Sequence, residues 1–322
     1  MAGPTDLEEF ELIARYFAPL SGEAGLGLLD DAACFSVPHG KDVVISKDML
    51  VANVHFFATD VPGNIAFKAL SANVSDIVAK GASPVYYLLG LSLPSDINHA
   101  WLADFSSGLA EAQNYYDIEL AGGDTTSTKG PLTLSVTIFG YVESGQMIKR
   151  SGAMAGDDIY VSGTIGDAAL GLKSTQGKCP SSEVFIQRFN RPLARASLGK
   201  RLIGAAHAAA DISDGLLADI GHICKASSCG ARLHVANIPL SEAARGCLSK
   251  DATLWPAIWA GGDDYEIVFT APVTHRNLIK EISDSIDVSV TRIGTILKGS
   301  AVELVDLSGE TVQIDQTGYK HF

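Results

Sequence analysis

Positive charge is scarce in this chain. Twenty-four Lys and Arg stand against 37 Asp and Glu, a formal net charge of −13 at pH 7. Such a surface repels nucleic-acid backbones and anionic lipid, which excludes a general nucleic-acid or membrane-surface binder. It leaves room for a nucleotide substrate, because divalent cations can bridge two sets of negative charge. Cysteine is scarce too. Cys34, Cys179, Cys224, Cys229 and Cys247 make an odd set without paired zinc spacing, so they read as reduced thiols of a cytoplasmic protein. No apolar run is long and charge-free enough to span a bilayer. Met1-Ala2-Gly3-Pro4-Thr5-Asp6 has no basic segment leading into an apolar core, so no signal peptide is expected. No Gly-x-x-x-x-Gly-Lys-Ser/Thr occurs, which excludes a P-loop, and the sequence offers no nucleophile elbow.

What is present suits two cores. The chain has 322 residues, 47% hydrophobic and 19% charged, too long for one typical core. Helical spacing predicts helices over 8–17 (with Phe10, Ile13, Ala14 and Phe17 inward), 64–79, 100–115, 167–173, 185–189, 198–209, 216–227 and 275–286. Strands are expected at 33–37, 43–46, 85–93, 118–121, 132–142, 158–162, 210–212, 232–235, 265–269, 288–297 and 302–305. This alternation predicts α/β or α+β architecture in each half. The Gly- and Ser-rich stretch from Gly145 to Gly156 is the expected boundary, giving domains 1–146 and 147–322. His207, His222 and His234 read as ordinary helix or strand residues.

The informative feature is a series of aspartates beside Gly or Ser. They occur in Asp30-Asp31-Ala32-Ala33, Ser46-Lys47-Asp48, Asn73-Val74-Ser75-Asp76, Gly122-Gly123-Asp124-Thr125-Thr126, Asp211-Ile212-Ser213-Asp214-Gly215 and Gly261-Gly262-Asp263-Asp264-Tyr265-Glu266. Most follow an apolar run, which predicts tight turns at strand ends. Any one of them is ordinary turn or cap chemistry. As a set they are carboxylates that would repel one another unless cations gathered among them. Oxygen donors without a Cys/His pair favour Mg²⁺ over Zn²⁺.

These segments, with His55-Phe56, Arg150-Ser151-Gly152 and the terminal Gly318-Tyr319-Lys320-His321-Phe322, resemble the thiamine-monophosphate kinase family in content and order. The resemblance runs from residue 30 to the C-terminus. It implies a two-domain AIR-synthase-like fold, an N-terminal mixed-sheet domain that pairs in a homodimer, and a C-terminal α/β domain. It implies ATP and thiamine monophosphate as substrates and several Mg²⁺ ions as cofactors. Carried over by position, Asp31, Ser46, Lys47, Asp48, Asp76, Asp124, Asp211 and Asp214 match metal-site positions. Gly123, Asp124, Arg150 and Ser213 match nucleotide contacts, and His55, Asp263 and Tyr319 face the thiamine side. Arg150, Asp124 and Asp214 are the catalytic candidates. Three positions depart from the family pattern. Lys47 stands for a common Thr or Ser, so only its carbonyl can serve a cation. Leu29 replaces a Gly, and Asp263 stands where Glu is common.

The implied mechanism follows from charge. The acceptor is a phosphate monoester, ionised near neutrality with second pKa about 6, so no general base is needed. Positioning and charge neutralisation carry the reaction. Two competing readings are another ATP-using member of the same superfamily and a non-catalytic cation- or nucleotide-binding protein.

Overall fold

The computed structural model describes residues 9–306, 308–314 and 316–319. Glu8, the expected start of the first helix, and the Lys320-His321-Phe322 end lie outside the described residues. The chain forms two compact units, Met1–Ile77 with Ala82–Gly145, and Val78–Gly81 with Gln146–Phe322. Among the described residues no helix is long and apolar enough to cross a membrane.

The first unit contains α1 (Glu9–Tyr16), β1 (Lys41–Val51), α2 (Pro62–Ala79), β2 (Ser83–Leu93), α3 (His99–Tyr116), β3 (Glu119–Ser127) and β4 (Thr133–Glu143). Its sheet runs β1-β4-β2-β3. β4 is antiparallel to β1 and β2, whereas β2 and β3 are parallel and joined through α3, the crossover that parallel neighbours require. Alternation sets one face of β4 inward. Leu134, Val136 and Ile138 are buried, and Ser135, Thr137 and Phe139 between them are half-buried. The helices cover the inward face. Tyr87 Oη of β2 donates to Gln113 of α3 at 2.7 Å, and a Cβ on Gly140 would stand 2.5 Å from Ile77 of α2. Helix α2 is buried on almost every side, with polar Lys68, Ser71, Asn73 and Ser75 buried among its apolar residues. Ile65, Ala69, Ala72, Val74 and Ile77 are buried as the sequence predicts.

The second unit contains β5 (Asp158–Ser162), α4 (Asp167–Thr175), α5 (Glu183–Asn190), α6 (Ala196–Gly199), β6 (Ala208–Asp211), α7 (Leu216–Ser227), β7 (Gly230–His234), α8 (Glu242–Leu248), α9 (Trp255–Ala260), β8 (Ile267–Ala271), α10 (Arg276–Asp284), β9 (Val290–Leu297) and β10 (Val302–Val305). Its mixed sheet runs β10-β7-β9-β5-β8-β6. Every residue of β5, β6 and β8 is buried, so these strands read as continuous apolar runs rather than alternating ones. Helix α7 packs Leu216, Leu217, Ile220 and Ile223 into the core this sheet shares with α9.

Four expectations fail. Ala33–Val37 forms no strand and runs as an irregular segment. Of the predicted face of α1, Phe17 just past its end is buried and Ile13 half-buried, but Ala14 and Phe10 (81%) are exposed, while Leu12 and Tyr16 are buried instead. The run 198–209 is not one helix. It breaks at Gly204 (φ 74°), and Ala208–Asp211 pairs with β8, tertiary pairing overriding the helix preference of alanine. Gly122-Gly123-Asp124 is no turn but the middle of β3, bonded to β2 just past a bulge at Tyr87/Leu88. Helices α8 and α9 were not foreseen in the sequence.

The β3 glycines have different reasons to be there. A Cβ on Gly123 would lie 1.9 Å from the Leu89 carbonyl oxygen, whereas at Gly122 the nearest atom is a flexible Leu88 methyl at 3.3 Å. Gly123→Ala is therefore expected to lower stability by about 1–3 kcal/mol, as overpacking does, and Gly122→Ala by far less. Denaturant melts of the two variants check this, and equal losses would contradict the assigned β2–β3 register.

Candidate active site

In the first unit the sheet sorts the expected residues onto two faces. Along β1, Ser46 and Asp48 alternate with Lys47, so their side chains lie on opposite sides. On the helix-covered side, Ser46 Oγ donates to Asp76 Oδ2 of α2 at 2.5 Å, and the Asp48 N–H donates to Asn73 Oδ1 at 3.2 Å. On the other side a cavity of about 710 Å³ is lined by Asp30, Asp31, Lys47, Gly123 and Asp124 among apolar residues that include Phe35 and Phe139. The Lys47 ammonium bonds Ser135 Oγ there. Asp48 and Asp124 are thus mid-strand and Asp76 is helical, so these three are not held on strand-end turns. Leu29 has φ −102° and needs no glycine conformation; the positive φ values fall on Leu26, Gly27 and Leu28. His55 follows β1 in sequence, and its Nδ1 accepts the Val51 N–H at 3.0 Å. Phe56 beside it is core.

The second unit draws its expected residues together at one place. Strand β6 ends in buried Asp211, and the chain turns through Ser213-Asp214-Gly215 into α7. Three main-chain bonds dock other segments on this turn. The Asp263 N–H donates to Ser213 O at 2.9 Å, the Tyr265 N–H to Ile212 O at 2.8 Å and the Tyr319 N–H to Asp214 O at 3.0 Å. Ser213, Asp214, Asp263 and Tyr319 are therefore neighbours, though as many as 106 positions apart in sequence (213 to 319). Arg150 is exposed, and its carbonyl accepts Ser227 Oγ from the end of α7 at 3.3 Å.

Sequence reasoning missed Asp219. It lies one turn into α7, fully buried, and its Oδ2 accepts the N–H groups of Ser213, Asp214 and Gly215 at 3.1–3.2 Å. It holds the shape of the turn from beneath. Its Oδ1 is buried without a hydrogen-bond partner. Asp214, Asp219 and His222 also bring ligand atoms within 4.8 Å of one another, with His222 Nε2 3.9 Å from Asp214 Oδ2; His222 lies in α7, as the sequence suggests. The helical spacing Asp219-x-x-His222 was the available signal. Among the described residues, Asp31, Asp48, Asp76 and Asp124 form no triple of that tightness.

Burial, and then the nearby Asp214 charge, push the Asp219 carboxyl up to about 7, against the Gly215 N–H, Arg150 and the Asp214 N–H, which lower it. A folded-state value above the unfolded one means that the native state binds the extra proton between about pH 4 and 7. Stability therefore falls as pH rises through that window, by up to about 1.4 kcal/mol per unit. Asp219→Asn keeps an oxygen for the three N–H groups and removes the titration. Metal-free wild type should lose stability from pH 4.5 to 6.5 more steeply than this variant, as read from urea melts. Parallel pH profiles would show the carboxyl to be ionised throughout.

The family models described as AIR synthase related protein, N-terminal domain and C-terminal domain match residues 29–142 and 154–306. Thiamine-monophosphate kinase of Escherichia coli (strain K12) is 41% identical over 322 residues, 98% of each chain. The crystal structure of thiamine-monophosphate kinase from Stenotrophomonas maltophilia K279a matches with TM-score 0.84 at 40% identity, covering 95% of this chain and 98% of that one. AaThiL complexed with AMPPCP and TMP matches with TM-score 0.78 at 31% identity over 98% of both chains. The two units thus have the AIR-synthase-like fold, and with this identity along its whole length the chain belongs to the thiamine-monophosphate kinase family.

Proposed function

We infer that this chain transfers the γ-phosphate of ATP to thiamine monophosphate, giving thiamine diphosphate and ADP. The observation that carries this is full-length likeness to kinases of that name, one of them held with AMPPCP and TMP. The acceptor oxygen is already ionised, so the protein's task is placement and charge neutralisation.

The donor chemistry fits Mg²⁺, which takes oxygen ligands. In the first unit Ser46, Asp48 and Asp76 form one oxygen-rich group, and Asp31 and Asp124 line the cavity. In the second, Asp211 and Asp214 flank the Ser213 turn. We assign these residues to Mg²⁺, with Lys47 able to join only through its carbonyl. When bound, the ions supply the positive charge that lets two anionic phosphates approach. Arg150 stabilises the transferring group, Gly123 and Ser213 contact the nucleotide, and His55, Asp263 and Tyr319 face the thiamine side. Asp263 is supported in this role by a carboxylate already aimed, since the Tyr265 hydroxyl donates to its Oδ1 at 3.0 Å. Residues 1–146 and 147–322 are the functional domains of this reading, and its place of action is the cytoplasm, supported by the unpaired cysteines.

The reading includes a homodimer through the first unit's sheet. Ile45 and Met49 of β1 are 59% and 55% exposed on the face away from the helices, an apolar surface of the kind that marks an interface. Ile45→Asp should convert the dimer to monomer in sedimentation velocity, and an unchanged mass would contradict this assignment.

The reaction itself is tested by mixing protein, ATP, Mg²⁺ and thiamine monophosphate and following thiamine diphosphate. Chelation with EDTA should abolish turnover, and added Mg²⁺ should restore it. Asp76→Asn and Asp124→Asn should each lower kcat about 10²-fold or more, the scale of losing one charge-stabilising group, with little change in Tm. Arg150→Ala should lower kcat more than it weakens nucleotide binding. Near-normal rates for Asp124→Asn at low Mg²⁺ would remove that residue from the site.

A further inference from the structure

The segment Gly261-Gly262-Asp263-Asp264-Tyr265-Glu266 has an unfavourable backbone. Asp263 (φ 67°) and Tyr265 (φ 50°) both lie at positive φ, where side-chain-bearing residues are uncommon. Such a conformation persists only where the surroundings over-determine it, and here they do. Asp264 is wholly buried, and its carboxyl meets the start of α4 through the Gly166 and Ala168 N–H groups, at 2.7 and 3.4 Å. Glu266 is also wholly buried and accepts from Ser162 Oγ at 2.6 Å, from Arg195, and from Arg188 Nη2 at 2.6 Å. The same Arg188 Nη2 donates to the Asp264 carbonyl at 3.0 Å. One nitrogen of α5 therefore straddles Tyr265, gripping the residue on either side. Tyr265 in turn holds the Asp263 carboxylate through its hydroxyl.

We propose that Arg188 and Glu266 are positioning residues for the acceptor: they clamp Tyr265 at positive φ, and Tyr265 thereby aims Asp263. This rests on the reading of Asp263 as facing thiamine monophosphate. The chain of contact is directional. Arg188 touches no expected substrate position and acts only through the main chain at 264 and the side chain at 266. A lysine at 188 keeps the charge, but its side chain is one bond shorter than arginine's path to Nη2, so its ammonium falls short of the point from which that nitrogen bonds both neighbours of Tyr265.

The test compares Arg188→Lys, Tyr265→Phe and the double variant with wild type. Arg188→Lys should raise KM for thiamine monophosphate about 10-fold or more and move KM for ATP less than about twofold. Tyr265→Phe, which keeps the ring and loses only the hydroxyl, should do the same in smaller measure. The double variant should be no worse than Arg188→Lys, because both act on one path. Amide hydrogen exchange gives a readout independent of turnover. The N–H groups of Asp263 and Tyr265, bonded to Ser213 and Ile212, should exchange at least about 10-fold faster in Arg188→Lys. Faster exchange in a protein whose wild type made no thiamine diphosphate would sink the kinase reading and keep the clamp. Unchanged exchange, or KM values for both substrates rising together with a fall in Tm, would overturn the clamp. Should Arg188→Lys fail to fold, Tyr265→Phe decides alone: an unchanged KM for thiamine monophosphate refutes the proposal.

Discussion

The second unit depends on a main-chain zipper. Ile212, Ser213 and Asp214 offer their carbonyls in succession to the N–H groups of Tyr265, Asp263 and Tyr319. Side chains would block this approach. A Cβ on Gly262 would stand 2.1 Å from Ser213 O, and one on Gly318 would stand 2.8 Å from Asp214 O. Glycine is required at both because backbone meets backbone there. The zipper explains why residues from three distant segments can act at one place without any of them lying on a common helix or strand. It also fixes their backbone atoms before any ligand arrives, which is the condition for catalysis by positioning.

Around the zipper the protein has balanced its charges in two ways. Where acid must be buried for structure, it is paired or held by donors. Glu266 has two arginines, Asp158 has Arg276 and Arg292, and Asp219 has three N–H groups. The two arginines hold the Asp158 carboxyl below the usual range even though burial opposes them. Where acid is expected to work, Asp31, Asp124 and Asp214 are at least partly open to solvent, and Asp211 at the end of β6 is the buried exception. That division makes sense of a net charge of −13 in a chain proposed to bind polyphosphate. The excess acid outside such pairs is what divalent cations would take up.

Much of this was legible in the sequence, for identifiable reasons. Long apolar segments such as α2, β4 and α7 announce themselves because one residue period persists over many positions. The Ser213-Asp214-Gly215 turn is legible because Gly215, at φ 126°, leaves a local mark. The irregular parts were not. Gly122-Gly123-Asp124 looks like a turn but is a strand whose glycine admits a neighbouring carbonyl. Ala208 and Ala209 look helical but are pulled into a sheet by β8. The clamp on Tyr265 joins residues 78 positions apart (Arg188 to Glu266), and no local period encodes a contact at that distance. Asp219 was hidden differently: it reads as a polar helix residue until the three amides above it are seen.

The central claim is that the docked turn around Asp214 presents one preformed site for cation and acceptor. The most direct measurement is a crystal structure of the protein with a non-hydrolysable ATP analogue, thiamine monophosphate and Mn²⁺ in place of Mg²⁺, read by anomalous scattering. The account predicts a metal peak on Asp214, thiamine monophosphate within reach of Asp263 and Tyr319, and the three main-chain bonds intact. A metal-free Asp214 with the acceptor bound elsewhere, or a turn that opens when the ligands bind, would contradict it.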